Sequence, residues 1–185
     1  MRSMLPAMRL AVVLLAIAAP LTALAADYTD PAALDALFVQ LKSAPDAQHA
    51  SEIEQQIWKA WLTPSDPDLA AQMDKAAAAL GSADVQTAMD TYDAIVAKWP
   101  DYAEGWNRRA TLEYEINDYT ASLADIAKVL AIEPRHFGAL SGRVMIELNQ
   151  GDHADALKDM VAALAIDPYL QGKELFPELM NSIDI

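Results

Sequence analysis

AEGWNRRATLEYEINDYTASLADIAKVLAIEPRH (103–136) is followed without a gap by FGALSGRVMIELNQGDHADALKDMVAALAIDPYL (137–170), and the two are one 34-residue pattern written twice. Identical residues coincide at Arg109/Arg143, Glu113/Glu147, Asp118/Asp152, Leu123/Leu157, Asp125/Asp159, Leu130/Leu164, Ala131/Ala165 and Ile132/Ile166. One further step back, over 69–102, Lys75 falls under Arg109, Asp84 under Asp118, Ala88 under Ser122 and Ala156, and Tyr92 under Ile126. Pro100, Pro134 and Pro168 punctuate the three units at the same spacing. Agreement at a single fixed offset is the signature of a repeat architecture, in which each unit buries its apolar face only by stacking on its neighbours.

Within each unit, apolar residues recur at helical spacing and are interrupted once by a polar turn: Gly81 to Asp84, Asn117-Asp118 and Gly151-Asp152. Asp118 and Asp152 stand where an N-cap accepts the free N–H groups of a second helix, and Asp155 adds negative charge to the first turn of the last one. The proline at the end of each unit lacks an N–H and stops that helix. No stretch alternates with period two for long enough to make a strand. The expected fold class is all-α, with two helices per unit.

The period and the placed residues resemble the tetratricopeptide repeat, or TPR: Trp106 at the fourth position, small residues at the eighth (Ala76, Ala110) and twentieth (Ala88, Ser122, Ala156), bulky ones at the twenty-fourth (Tyr92, Ile126, Met160) and Pro at the thirty-second. Departures are Gln72 and Leu140 in place of Trp106, Val144 at the small eighth position, and Glu113 and Glu147 where Tyr is usual. The resemblance implies a short right-handed α-solenoid with repeats at 69–102, 103–136 and 137–170, closed by helical caps at both ends. It also implies a concave face built from the first helices and used to bind a protein or peptide.

Outside the repeats, Arg2 and Arg9 precede the apolar run Leu10 to Ala19, Pro20, and Ala23-Leu24-Ala25, the order of a secretory signal peptide over 1–25 with cleavage before Ala26. A periplasmic protein with no stable membrane insertion after cleavage is expected. Residues 26–62 read as a capping helical hairpin, with stripes Leu34, Leu37, Phe38, Leu41 and Ile53, Ile57, Trp58, Trp61 about a turn at Pro45-Asp46. Thr63 to Asp68 reads as a turn, and 171–185 as a capping segment whose helix Lys173 to Met180 turns Leu175, Phe176 and Leu179 inward.

Composition narrows the function. The chain has no cysteine, so disulfides, thiolate metal sites and lipidated cysteine are excluded. Residues 1–25 hold two of its 13 basic residues and none of its 27 acidic ones, so cleavage leaves 11 against 27, net −16. That balance argues against nucleic acid or an anionic membrane as partner. His49, His136 and His153 are scattered, and His49 with Glu52 supplies at most two ligands, so no metal or other cofactor is expected. Asp66 and Asp68 lack the Gly and bidentate Glu of a calcium loop, and neither a phosphate-binding loop nor a nucleophile motif is present. The expectation is a non-enzyme, monomeric or weakly oligomeric.

Two constellations remain. The seventh repeat position is cationic in all three units (Lys75, Arg109, Arg143), and a charge packed inside a repeat needs partners: Asp125 and Asp159 on the facing helices, with Glu113 and Glu147 four residues on. By the resemblance, the concave positions carry Met73, Ala77 and Leu80; Asn107, Arg108, Thr111 and Tyr114; and Ser141, Met145 and Leu148. Asn107 can pair with a peptide amide through both its donor and its acceptor, Arg108 with a carboxylate, and Met and Tyr offer adaptable apolar contact. Other readings stay open: the groove packs against the protein's own carboxy-terminal helix; the protein is a regulator or adaptor of an envelope enzyme contacted through its outer acidic face; it has a metal-binding or catalytic role; or it is a cytoplasmic scaffold with an unprocessed amino terminus.

Overall fold

The computed structural model describes residues 31–180; the signal-peptide reading at 1–25 lies outside them. Eight helices succeed one another in antiparallel pairs: α1 Pro31–Lys42, α2 Ala47–Leu62, α3 Pro67–Gly81, α4 Val85–Lys98, α5 Ala103–Glu115, α6 Tyr119–Ile132, α7 Phe137–Gln150 and α8 His153–Ile166. A 3-10 turn, Lys173–Leu175, and a short α9, Pro177–Met180, follow. The architecture is an all-α, TPR-type solenoid, with α3/α4, α5/α6 and α7/α8 as its helix pairs.

The turn inside each pair is the same device three times. Ala83, Asn117 and Gly151, one period apart, all adopt left-handed backbone with φ of 58°, 64° and 84°. In each case the next residue's N–H reaches back over the helix end, Asp84 to Ala79 O, Asp118 to Glu113 O and Asp152 to Glu147 O, all at 2.8 Å. Gly81, the glycine of the first turn, is still helical, and Ala83 carries the strained conformation. Asp84 and Asp118 then cap the second helices by accepting from Thr87 N and Ala121 N at 3.1 Å. Asp152 holds the equivalent place with no side-chain hydrogen bond. The turn at 63–68 is shorter than the sequence suggests, because Asp66 caps α3 (Asp68 N at 2.8 Å, Leu69 N at 3.1 Å) and Pro67 begins it.

Packing between pairs follows the repeat. Tyr92 and Ile95 of α4 pack with Leu112 of α5 and the α3 residues Leu69, Met73 and Ala76. Ala110, Ile126 and Val129 join Ala139 and Ile146 of α7. Beyond α8, the carboxy-terminal segment is not one amphipathic helix: Pro177 divides it, Phe176 alone is fully buried against Val144, Ala156 and Met160, and Leu175 faces solvent.

The amino-terminal hairpin departs further from expectation. Leu37, Phe38, Leu41, Ile57 and Trp61 of α1 and α2 pack with Phe137 at the start of α7 and with Ile166, Tyr169 and Leu170 at the end of α8. Instead of stacking on α3/α4 as a cap, the hairpin therefore lies against the later repeats. Trp61 stacks on His136 with ring centroids 4.0 Å apart, and Trp58 meets Phe137 edge-on at 5.5 Å. Gly138 permits this approach, since a Cβ there would fall 2.5 Å from the Trp58 ring. Polar contacts reinforce it: the Tyr102 hydroxyl donates to Trp61 O (2.7 Å), and Arg135 binds Asp35 (2.7 Å) while lying over the Phe38 ring. Burial, then the neighbouring Asp167, pushes the Glu54 carboxyl up to about 7; the fully buried Asp167 accepts from Tyr169 N through Oδ1 (2.9 Å), and its Oδ2 is buried without a hydrogen bond.

Candidate functional site

Repeat geometry first disposes of the seventh-position cations. Arg109, on α5, forks onto Asp125 of α6 through Nε (2.6 Å) and Nη2 (2.8 Å), and its Nη1 reaches Asp93 of the preceding pair at 2.8 Å. Arg143 repeats the fork onto Asp159, through Nε to Oδ2 and through Nη2 to Oδ1. Glu113 and Glu147 are not equal partners: they stand 3.7 and 4.0 Å from the guanidinium nitrogens, and one oxygen of each is buried without a hydrogen bond. The planar fork is already filled by the facing aspartate. Burial, and next the Asp125 or Asp159 charge, pushes both Glu carboxyls up to about 7. Lys75 does not share the motif; it is exposed, and the facing position holds Thr91.

A second buried network was not foreseen. Glu104 in the first turn of α5 and His136, the N-cap of α7, are both fully enclosed. Ala139 N donates to His136 Nδ1 (3.1 Å), so the ring proton sits on Nε2 and is given to Glu104 Oε2 (3.1 Å). Glu104 Oε2 also accepts from Asn107 Nδ2 (2.9 Å), and Oε1 from Arg108 Nε (2.6 Å). The expected roles of Asn107 and Arg108 are narrowed accordingly. One donor of each turns inward onto a buried carboxylate, which needs it more than solvent does, while the second Nδ2 proton of Asn107 and the Nη groups of the part-exposed Arg108 stay uncommitted among the described residues, beside the inner face. A clue exists in the alignment of units: Glu104 occupies a position held by Ala70 and Gly138 in the others, and His136 one held by Tyr102 and Leu170.

What remains open on the inner face is a cavity of ≈ 190 Å³ between α5 and α7. Ala110, Ile126, Ala139 and Gly142 form its apolar wall, and Asn107, Thr111, Tyr114, Ser141 and Met145 are brought together around it. Trp58 and Leu62 of the hairpin border an adjoining hollow with Asn107, Arg108, Thr111 and Gly138. Among the residues assigned to this face from sequence, Met73 is buried in the core of the first pair, and Leu148 packs toward the carboxy-terminal segment with Val144 and Phe176. Neither lines the cavity. The groove is bordered by the amino-terminal hairpin, and the carboxy-terminal segment packs on α7 and α8 instead.

A wider cleft lies between the hairpin and the α4–α5 turn, with Trp61, Trp99 and Tyr102 on its walls. Its polar groups are bonded to one another or nearby: Trp99 Nε1 donates to Asp66 (2.9 Å), Lys98 pairs with Asp68 (3.5 Å) and Arg135 with Glu133 (2.8 Å). His49 pairs with Asp46 at 2.7 Å and His153 with Glu178 at 2.7 Å. Among the described residues no three His, Asp or Glu side chains converge to hold a metal, and no helix is long and apolar enough to cross a membrane.

No family model matches the chain. It is similar to a TPR repeat-containing protein of Rhizobium etli, with 44% identity over 118 residues that cover 64% of this chain and 58% of the relative. The match thus spans less than two thirds of that protein's length.

Proposed function

We propose that the protein is an exported, non-catalytic interaction module of the bacterial envelope that binds a peptide or a partner protein in the groove between α5 and α7. The observation that carries the binding reading is the groove itself. It gathers Asn107, Thr111, Tyr114, Ser141 and Met145 from two successive first helices over an apolar floor. Similarity to a TPR repeat-containing protein supports an interaction role, and a fold whose core is spread along a stack leaves an extended surface for it. The export part rests on the order of Arg2, Arg9, the apolar run and Ala23-Leu24-Ala25.

Both parts are testable in the native host. A photo-crosslinking residue at Met145, in the groove, should capture a partner that the same residue at the exposed Val161 of α8 does not. Capture from Val161 alone moves the site to the outer acidic face. Intact mass of protein recovered from the periplasmic fraction should correspond to a chain starting at Ala26. Retention of Met1 would refute export.

A further inference from the structure

Resting on the groove reading above, the seat of the amino-terminal hairpin bears on how the groove is reached. Trp58 and Leu62 of α2 border a hollow with Asn107, Arg108, Thr111 and Gly138, and Asn107, Thr111 and Gly138 also line the α5–α7 cavity. The Trp58 ring fills the notch at Gly138, where a Cβ would fall 2.5 Å away. One edge of the inner face is thus covered by the chain's own helix, and a partner that extends along α5 and α7 toward their first turns must displace it. The hairpin is attached so that it can move as a unit. Only residues 63–66 join α2 to α3, Pro64 among them, and its polar contacts reach far along the chain, from Trp61 O to the Tyr102 hydroxyl and from Asp35 to Arg135.

The hairpin also meets the turn beyond α8, and there two carboxyls face each other. Asp167 is fully buried, with Oδ1 accepting from Tyr169 N and Oδ2 left without a hydrogen bond among the described residues. Glu54 of α2 lies opposite, and burial, then the Asp167 charge, pushes it from 4.5 up to about 7. Its neighbours one turn away on α2, Ala50, Ser51, Ile57 and Trp58, carry no charge. The other ionisable groups about the hairpin are engaged elsewhere or turned to solvent: Asp35 pairs with Arg135, His49 with Asp46 and Arg108 with Glu104, while Lys42, Glu52 and Lys59 are exposed. His136 lies under Trp61 and donates to Glu104, and Tyr169 joins the apolar cluster. A carboxyl raised on docking favours the docked state below 4.5, and that gain is lost as pH rises through about 7. The full shift loosens the seat by tens of fold between about pH 5 and 8; solvent around the half-buried Glu54 screens part of it.

We propose that the hairpin is an autoinhibitory clasp on the inner face: it shields the α5–α7 groove while Glu54 and Asp167 carry one charge between them, and it lifts off, opening the groove to a partner, when both are ionised. The repulsion acts at the seam with α8, and its consequence appears at Trp58 and Leu62 on the groove.

Hydrogen exchange of the chain recovered from its native host reads the clasp directly. From pH 5 to pH 8, protection across 47–62, corrected for the intrinsic rate at each pH, should fall by about fivefold or more beyond any fall across α6. Glu54→Gln removes one charge from the seam and should abolish that excess. Asp167→Asn, which keeps an oxygen for Tyr169 N, should do the same and keeps the test decisive if Glu54→Gln fails to fold. A smaller excess in the native chain, or one that survives either substitution, overturns the clasp. With the crosslinking residue at Met145, capture should rise over the same pH range and stay level in Glu54→Gln. Equal capture at both pH values, with the clasp opening as stated, overturns the inhibitory role. Capture from Val161 alone overturns the groove reading itself, and the exchange result then stands apart from it.

Discussion

Asp125→Ala tests how the middle repeat holds its buried cation. In the folded protein Asp125 is nearly enclosed and accepts both parallel N–H groups of Arg109, whose side chain is 18% exposed. Removing one member of a buried pair typically costs about 3–5 kcal/mol, because the other is left without compensation. Here the loss is partly offset. Asp93 still holds Nη1, and Glu113, 3.7 Å away and already mostly ionised at pH 7.5 with a pKa raised to about 7, can take the place that Asp125 vacates on the guanidinium. The recruited charge recovers on the order of 1–2 kcal/mol, leaving a net cost of about 2–3 kcal/mol at pH 7.5. Urea denaturation followed by circular dichroism measures it directly. The double variant Asp125→Ala/Glu113→Gln lacks the substitute carboxylate and should be less stable than Asp125→Ala by about 1–2 kcal/mol. An unchanged midpoint for the single variant, or a double variant no weaker than the single, would refute the argument that Glu113 is a reserve partner for Arg109.

Glu113 and Glu147 have folded-state pKa values raised from 4.5 to about 7, so their neutral forms favour folding and the penalty for ionising them is absent below 4.5, grows with pH and is complete above about 7. Glu113→Gln alone should therefore stabilise the protein at pH 8 by about 1–3 kcal/mol and leave it nearly unchanged at pH 4.5, as read from denaturation midpoints. Ala83→Gly should raise stability by about 1 kcal/mol, since Ala83 alone of the three equivalent turn residues pays a left-handed backbone cost without the relief that Gly or Asn provides; a lower melting temperature would contradict this. Gly138→Val should push Trp58 off α7, and hydrogen exchange should then speed up across 47–62 while α5 to α8 stay protected. Uniform protection would mean the hairpin is not seated through that contact.

The amino-acid sequence determined the solenoid because everything that builds it recurs at one offset. Turn, cap, small and bulky positions and the Arg/Asp positions repeat at 34 residues, so a contact inferred in one unit carries to the next. What the offset does not carry is choice among near-equivalent partners. Both Asp125 and Glu113 were readable beside Arg109, but only the crossing of α5 and α6 puts the aspartate into the guanidinium plane and leaves the glutamate short of donors. The groove is similar: Asn107 and Arg108 were readable as inner-face positions, whereas the direction of their donors depends on Glu104 and on His136 thirty-two residues away.

The hairpin lay furthest from view. Its stripes predict two helices and an apolar face, yet nothing periodic says which repeat they cover. Its seat is decided by contacts such as Trp61 with Tyr102 and Asp35 with Arg135, separated by 41 and 100 residues. Non-repeating surfaces meet only after the stack has formed, and the fit of Trp58 to a position without a Cβ, or the meeting of Glu54 with the buried Asp167, exists only in three dimensions. Sequence alone thus determined the repeat and its turns, where each rule is local and repeated. Tertiary structure decided what the inner face presents, because there the burial of single groups, once each, sets which atoms are left to bind.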